Sequence, residues 1–162
     1  MATEANLTEE EQWEHFLEMF YLAATFQGRA AYFLMSIHAV NPGVLTQILG
    51  IDPFPYLWAT MLYGVAIMIF SRPSMRVIFP LNRIAFGMLG SLMFNHASMV
   101  CFKYLCTVFP DRPFMRTFMG FLSGRLMMVH LLAFLYHIDT RTNIPDLYVT
   151  RDVAFEGMYS VY

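Results

Sequence analysis

The chain has 162 residues, of which 57% are hydrophobic and 14% charged, and its formal net charge is −2. Soluble domains carry roughly 45–50% apolar and about 25% charged residues, so water is not the main solvent of this protein. No basic stripe is present to neutralise phosphates, which excludes nucleic acid as a partner.

Residues 1–12 are acidic, unlike the basic head of a signal peptide or the Arg-rich run of a transit peptide, so the sequence shows no removable targeting segment. Thr8-Glu9-Glu10-Glu11 has the form of a capping box, and the acids suit the positive end of a helix dipole. The first predicted helix covers 9–40 and ends at Asn41-Pro42-Gly43, where proline restricts the residue before it and glycine permits the turn. Up to Glu18 it is amphipathic and charged. From Met19 onward it is apolar, except that Gln27 and Arg29 fall near its middle. Crossing and interfacial placements of this segment both fit, because an Arg at the bilayer centre costs roughly 2.5–3.5 kcal/mol, an amount that flanking Phe, Leu and Met can offset.

Residues 41–55 are broken by prolines and glycines, with a short apolar run at 44–49 that suits one or two helical turns at the surface. The next predicted span, 54–70, has no charge, and Tyr56 and Trp58 stand where an aromatic belt belongs. The linker that follows carries Arg72, Arg76 and Arg83 and no acid, so the positive-inside rule places it on the cytoplasmic or matrix side. The span 84–109 holds Asn95, His96 and Ser98 near its centre and Lys103 toward its far end. Cys101 and Cys106 lie within it without C-x-x-C spacing and read as packing residues. Pro110-Asp111-Arg112-Pro113 is long enough only to reverse the chain, making the last predicted span, 114–138, an antiparallel neighbour. Residues 139–162 are polar and read as an extended tail.

The sequence therefore describes a single all-α integral membrane domain of three to four transmembrane helices, with an N-terminal amphipathic extension and a polar tail. Small residues recur at helical spacing in Ala24/Gly28/Ala31, Gly87/Gly90/Ser91 and Gly120/Ser123/Gly124, where they let helix backbones approach closely in lipid. Arg29 and Arg125 each follow a glycine and each lie near the middle of a segment. They are candidates to hold a lipid phosphate or a carboxylate of another subunit, while Arg72, Arg76 and Arg83 form a lipid-headgroup patch.

His96 and His130 are the one pair that could ligate a b-type haem from neighbouring helices; the plainer reading of the spans' histidines is hydrogen bonding to Ser, Asn or a backbone carbonyl. No phosphate loop, H-E-x-x-H, nucleophile elbow or carboxylate cluster is present. These residues fit a non-catalytic accessory subunit of a large membrane complex, contributing helix packing and binding phospholipid such as cardiolipin between subunits. By class its setting is the mitochondrial inner membrane, in an ATP synthase or respiratory assembly. A haem- or quinone-binding electron-transfer anchor and a small channel or transporter protomer are the alternatives.

Overall fold

The computed structural model describes residues 8–141. Among them the element order is α1 (Glu9–Val40), α2 (Pro42–Leu49), α3 (Phe54–Phe70), a 3-10 turn (Pro73–Val77), α4 (Pro80–Val108) and α5 (Pro113–Arg141). The capping box forms as expected: the Thr8 backbone N–H donates to Glu11 Oε2 at 2.9 Å, and the Glu11 N–H donates to Thr8 Oγ1 at 3.4 Å. Pro42, Pro55, Pro73, Pro80 and Pro113 all fall in the first turn of an element, where the missing N–H has no helical acceptor to serve. Gly50 closes α2 with a φ of 71°, a left-handed conformation that favours glycine.

α1, α3, α4 and α5 form an up-down-up-down bundle. α1 and α3 are antiparallel, with Tyr21 against Phe70 at one end and His38 against Phe54 at the other. α5 also runs antiparallel to α1, since Asn41 donates to Thr117 and Gly124 lies on Ser36. The start of α1, the arginine linker and the end of α5 therefore share one end of the bundle, the arrangement that four crossings require.

The centre of the bundle is α1, although it is the helix with the most charge. It buries Ala24, Gly28, Ala31, Tyr32, Met35, Ser36 and Val40 against its three neighbours. The tightest contact is backbone to backbone between Gly28 and Gly64. A Cβ on Gly64 would collide with the Gly28 Cα and come within 2.8 Å of its N and 2.9 Å of the Ala24 carbonyl oxygen. α5 meets α1 in the same manner, since a Cβ on Gly120 would lie 2.9 Å from the Ser36 carbonyl oxygen and one on Gly124 would lie 2.7 Å from Ser36 Cβ. Around these seams pack Tyr32, Met35, Met61, Val65, Met68, Phe102 and Met128. Outward, α4 and α5 present Ile84, Phe86, Leu92, Met93, Phe118, Phe121, Leu126 and Phe134. That is the inverse of a soluble surface and the expected one for lipid.

Two helices, α4 and α5, are long and apolar enough to cross a membrane, and there is a third span if α2 and α3, bent by 105° at their break, count as one. α3 falls short alone because its 17 residues rise only about 26 Å, against a hydrocarbon core of about 30 Å. Gly50 and the prolines at 53 and 55 prevent it from starting earlier. α5 continues to Arg141, so the predicted tail starts three residues too early; residues 142–162 lie outside the described part of the chain.

Gly64→Ala should destabilise the bundle by about 3 kcal/mol, because backbone rather than a movable side chain opposes the added methyl. Gly43→Ala, whose Cβ would meet nothing closer than Asn41 Oδ1 at 3.8 Å, should be neutral or stabilising by up to about 1 kcal/mol. Reversible unfolding in detergent, followed by circular dichroism, compares the two.

Candidate functional site

The polar residues of the bundle fall into an interior seam, two ends and an outer face, and the candidates divide among them. The interior seam joins α1, α3 and α4. Tyr32 donates from its hydroxyl to Ser98 Oγ at 2.8 Å, and Ser98 donates to the Phe94 carbonyl at 2.8 Å. Asn95 donates to Ser91 Oγ at 3.1 Å, and Ser91 donates to the Leu62 carbonyl at 2.6 Å. Tyr32, Ser91, Asn95 and Ser98 are all fully buried. Such bonds replace water that the bilayer does not supply; the Tyr32–Ser98 and Ser91–Leu62 bonds cross between helices and each contributes about 0.6–2 kcal/mol to their association, while the other two lie within α4. Asn95 Oδ1 and Thr25 Oγ1 are buried and make no hydrogen bond among the described residues.

At the linker end, Arg72 does not face lipid headgroups. It is buried at 3% exposure, and its guanidinium lies 3.3 Å from Asp139 on α5. Asp139 also accepts from the Ser74 hydroxyl and backbone N–H, so it clamps the 3-10 turn to the last span. Arg83 is half-buried, donating from Nε to the Phe70 carbonyl at 2.6 Å with its guanidinium carbon 3.9 Å from the Phe70 ring centroid. That carbonyl belongs to the last turn of α3, where a cation suits the dipole. Of the predicted headgroup patch only Arg76 is fully exposed. At the opposite end, buried His38 places Nε2 3.2 Å from Asp52 Oδ1, and Asp52 also accepts the Phe54 N–H at 3.0 Å, tying the α2–α3 loop to the last turn of α1.

The two glycine-preceded arginines have different surroundings. Arg29 is half-buried and extends Nη2 to 3.8 Å from Met68 Sδ, a position two residues from the linker end of α3. Helical side chains lean toward their own N-terminus, which for α1 is the linker end. Arg125 is exposed on the outer face of α5 and makes no hydrogen bond or ion pair among the described residues.

His96 and His130 are both exposed on outer faces rather than turned into a shared interior, and His130 Nδ1 lies 2.8 Å from the Leu126 carbonyl oxygen of its own helix. The His130 contact lies within α5 rather than across to a neighbouring helix, and the two rings do not meet between helices. No group of three or more His, Cys, Asp or Glu side chains able to hold a metal occurs among the described residues. Cys106 packs with Sγ 3.8 Å from the Val40 carbonyl oxygen, and both cysteines are free.

Sequence reasoning missed Gly64, Tyr32, His38 and the pairing of Arg72 with Asp139. Gly64 carried a signal, since it is the sole glycine of an uncharged span. The others depend on which residues meet across helices, and spacing within one helix does not report that.

Asp139→Leu should cost about 3 kcal/mol by leaving Arg72 buried without its carboxylate, while the double change Arg72→Met with Asp139→Leu should cost clearly less. A double-mutant cycle on detergent unfolding measures this. No family model, curated protein or solved structure matches the chain.

Proposed function

We propose that this chain is a non-catalytic accessory subunit of a larger membrane complex, with its bundle filling a position in the membrane region and the outer parts of α1 and α5 engaging neighbours. The observation that supports this is the N-terminal part of α1. From Glu9 to Phe20 every residue is exposed except half-buried Leu17, and Trp13, Phe16 and Phe20 stack in succession along one side with ring centroids 5.6 and 6.4 Å apart. Glu9, Glu10, Glu11, Glu14 and Glu18 accompany them.

A helical segment this short is marginal without something to pack against, and the other described residues provide almost no cover. An anionic headgroup layer would repel the glutamates. A neighbouring protein with an apolar groove edged by Lys or Arg matches both the ridge and the charge. The interior supports the same reading, because the hydrogen bonds of Tyr32, Ser91 and Ser98 tie helices to one another. Exposed Arg76 suits an anionic phospholipid such as cardiolipin at the seam between subunits. By chain class alone we extend the proposal to the mitochondrial inner membrane and its ATP synthase or respiratory assemblies.

Gentle extraction from native membranes, native-gel separation and mass spectrometry test this directly: the chain should migrate in one large hetero-oligomer. Trp13→Ser with Phe16→Ser should reduce that band strongly, since aromatic anchors at an interface are worth about 2 kcal/mol each, while membrane insertion stays normal. Migration of the native chain as a monomer or small homo-oligomer would overturn the proposal.

A further inference from the structure

We infer that Arg125 is the docking point for an Asp or Glu on a transmembrane helix of a neighbouring subunit, an inference that rests on the accessory-subunit reading above and names the chemistry of one partner. The observation is a guanidinium exposed in the middle of a span and without a partner among the described residues.

Arg125 lies 12 residues into α5, a 29-residue helix, which puts its Cα about 18 Å from the Pro113 end and about 24 Å from the Arg141 end at 1.5 Å per residue. A hydrocarbon layer of about 30 Å centred on that helix would begin about 6 Å in from each end, leaving the Arg125 Cα about 12 Å below the nearer boundary. The side chain leans toward that boundary, because it is the N-terminal side of α5. Even so, the gap is longer than an extended arginine side chain, so lipid phosphate is out of reach unless the bilayer thins.

The described residues offer no carboxylate at this depth. Every acid within 8–141 precedes Tyr21, lies in the loops at Asp52 and Asp111, or is Asp139 near the end of α5. Arg29 illustrates the alternative, reaching Met68 toward the linker end. Around Arg125 the face is apolar and uncovered, with Phe118, Phe121, Leu122 and Leu126 all exposed, which is a surface for another helix. An intramembrane Arg normally meets a partner, and a carboxylate presented from such a helix would neutralise the charge through two parallel hydrogen bonds.

The test uses the full chain in its native membranes. A photo-crosslinking amino acid at Leu122 should capture a transmembrane peptide carrying Asp or Glu. Arg125→Leu, which makes the span more apolar and leaves the bundle's unfolding unchanged, should lower the amount of that subunit retained on native gels roughly tenfold. Arg125→Glu should lower it further, and exchanging the partner's acid for Arg should restore it. Crosslinks confined to lipid, a captured peptide without an acid, or full retention of neighbours by Arg125→Leu would each overturn this inference while leaving the accessory-subunit reading intact. A chain with no hetero-oligomeric partners at all would overturn both.

Discussion

The backbone contact between Gly28 and Gly64 fixes the position of everything else in the bundle. Lipid tails are as apolar as leucine, so burying apolar side chains gives helices in a membrane little reason to associate, and close van der Waals contact has to supply it. With neither residue bearing a Cβ, α1 and α3 come together until their main chains touch. That approach brings Tyr21 to Phe70 at one end and His38 to Asp52 at the other. It also brings Arg29, the residue after Gly28, within reach of Met68. A helix that hydropathy alone ranks as the least certain span thus becomes the axis around which α3, α4 and α5 pack.

The remaining seams divide the work between shape and hydrogen bonding. α5 fits onto α1 through Gly120 and Gly124, whereas α4 is held by Ser91 donating to the Leu62 carbonyl and Ser98 accepting from Tyr32. The ends are closed by polar side-chain pairs, with Arg72 and Asp139 on the linker side and His38 and Asp52 opposite. Inside the bundle, Thr25 Oγ1, His38 Nδ1 and Asn95 Oδ1 stay buried without a hydrogen bond among the described residues. The aromatic ridge of α1 and Arg125 both face outward.

Helix positions were legible in the sequence because their signals are local. The capping box at Thr8, the prolines that open α2 to α5 and the left-handed Gly50 need nothing from the rest of the chain, and the predicted 9–40 and 54–70 match α1 and α3. Which face of each helix turns inward was much harder to read. In water the apolar face is the buried one, but α4 is apolar nearly all round, so hydropathy does not separate its lipid face from its protein face. The polar residues do separate them: Ser91, Asn95 and Ser98 share the buried face, and His96, one residue from Asn95, points out. The haem pairing and the headgroup role of Arg72 both rested on depth along the helix without knowledge of rotation about it. Arg72 also depended on Asp139, which sequence patterning had placed in the tail rather than in the last turns of α5.

The Gly-Arg pairs on α1 and α5 show how one local pattern acquires two functions. Each glycine lies against a neighbouring helix, Gly28 on Gly64 and Gly124 on Ser36, so each following arginine is carried about 100° away from that contact. On α1, the central helix, a rotation of that size still leaves the side chain beside α3. On α5, an outer helix with α1 on one side, the same rotation carries it out of the bundle. The difference comes from the helix's place in the assembly and not from the dipeptide. Among the described residues nothing offsets the insertion cost of Arg125, and a neighbouring carboxylate is the partner we propose for it.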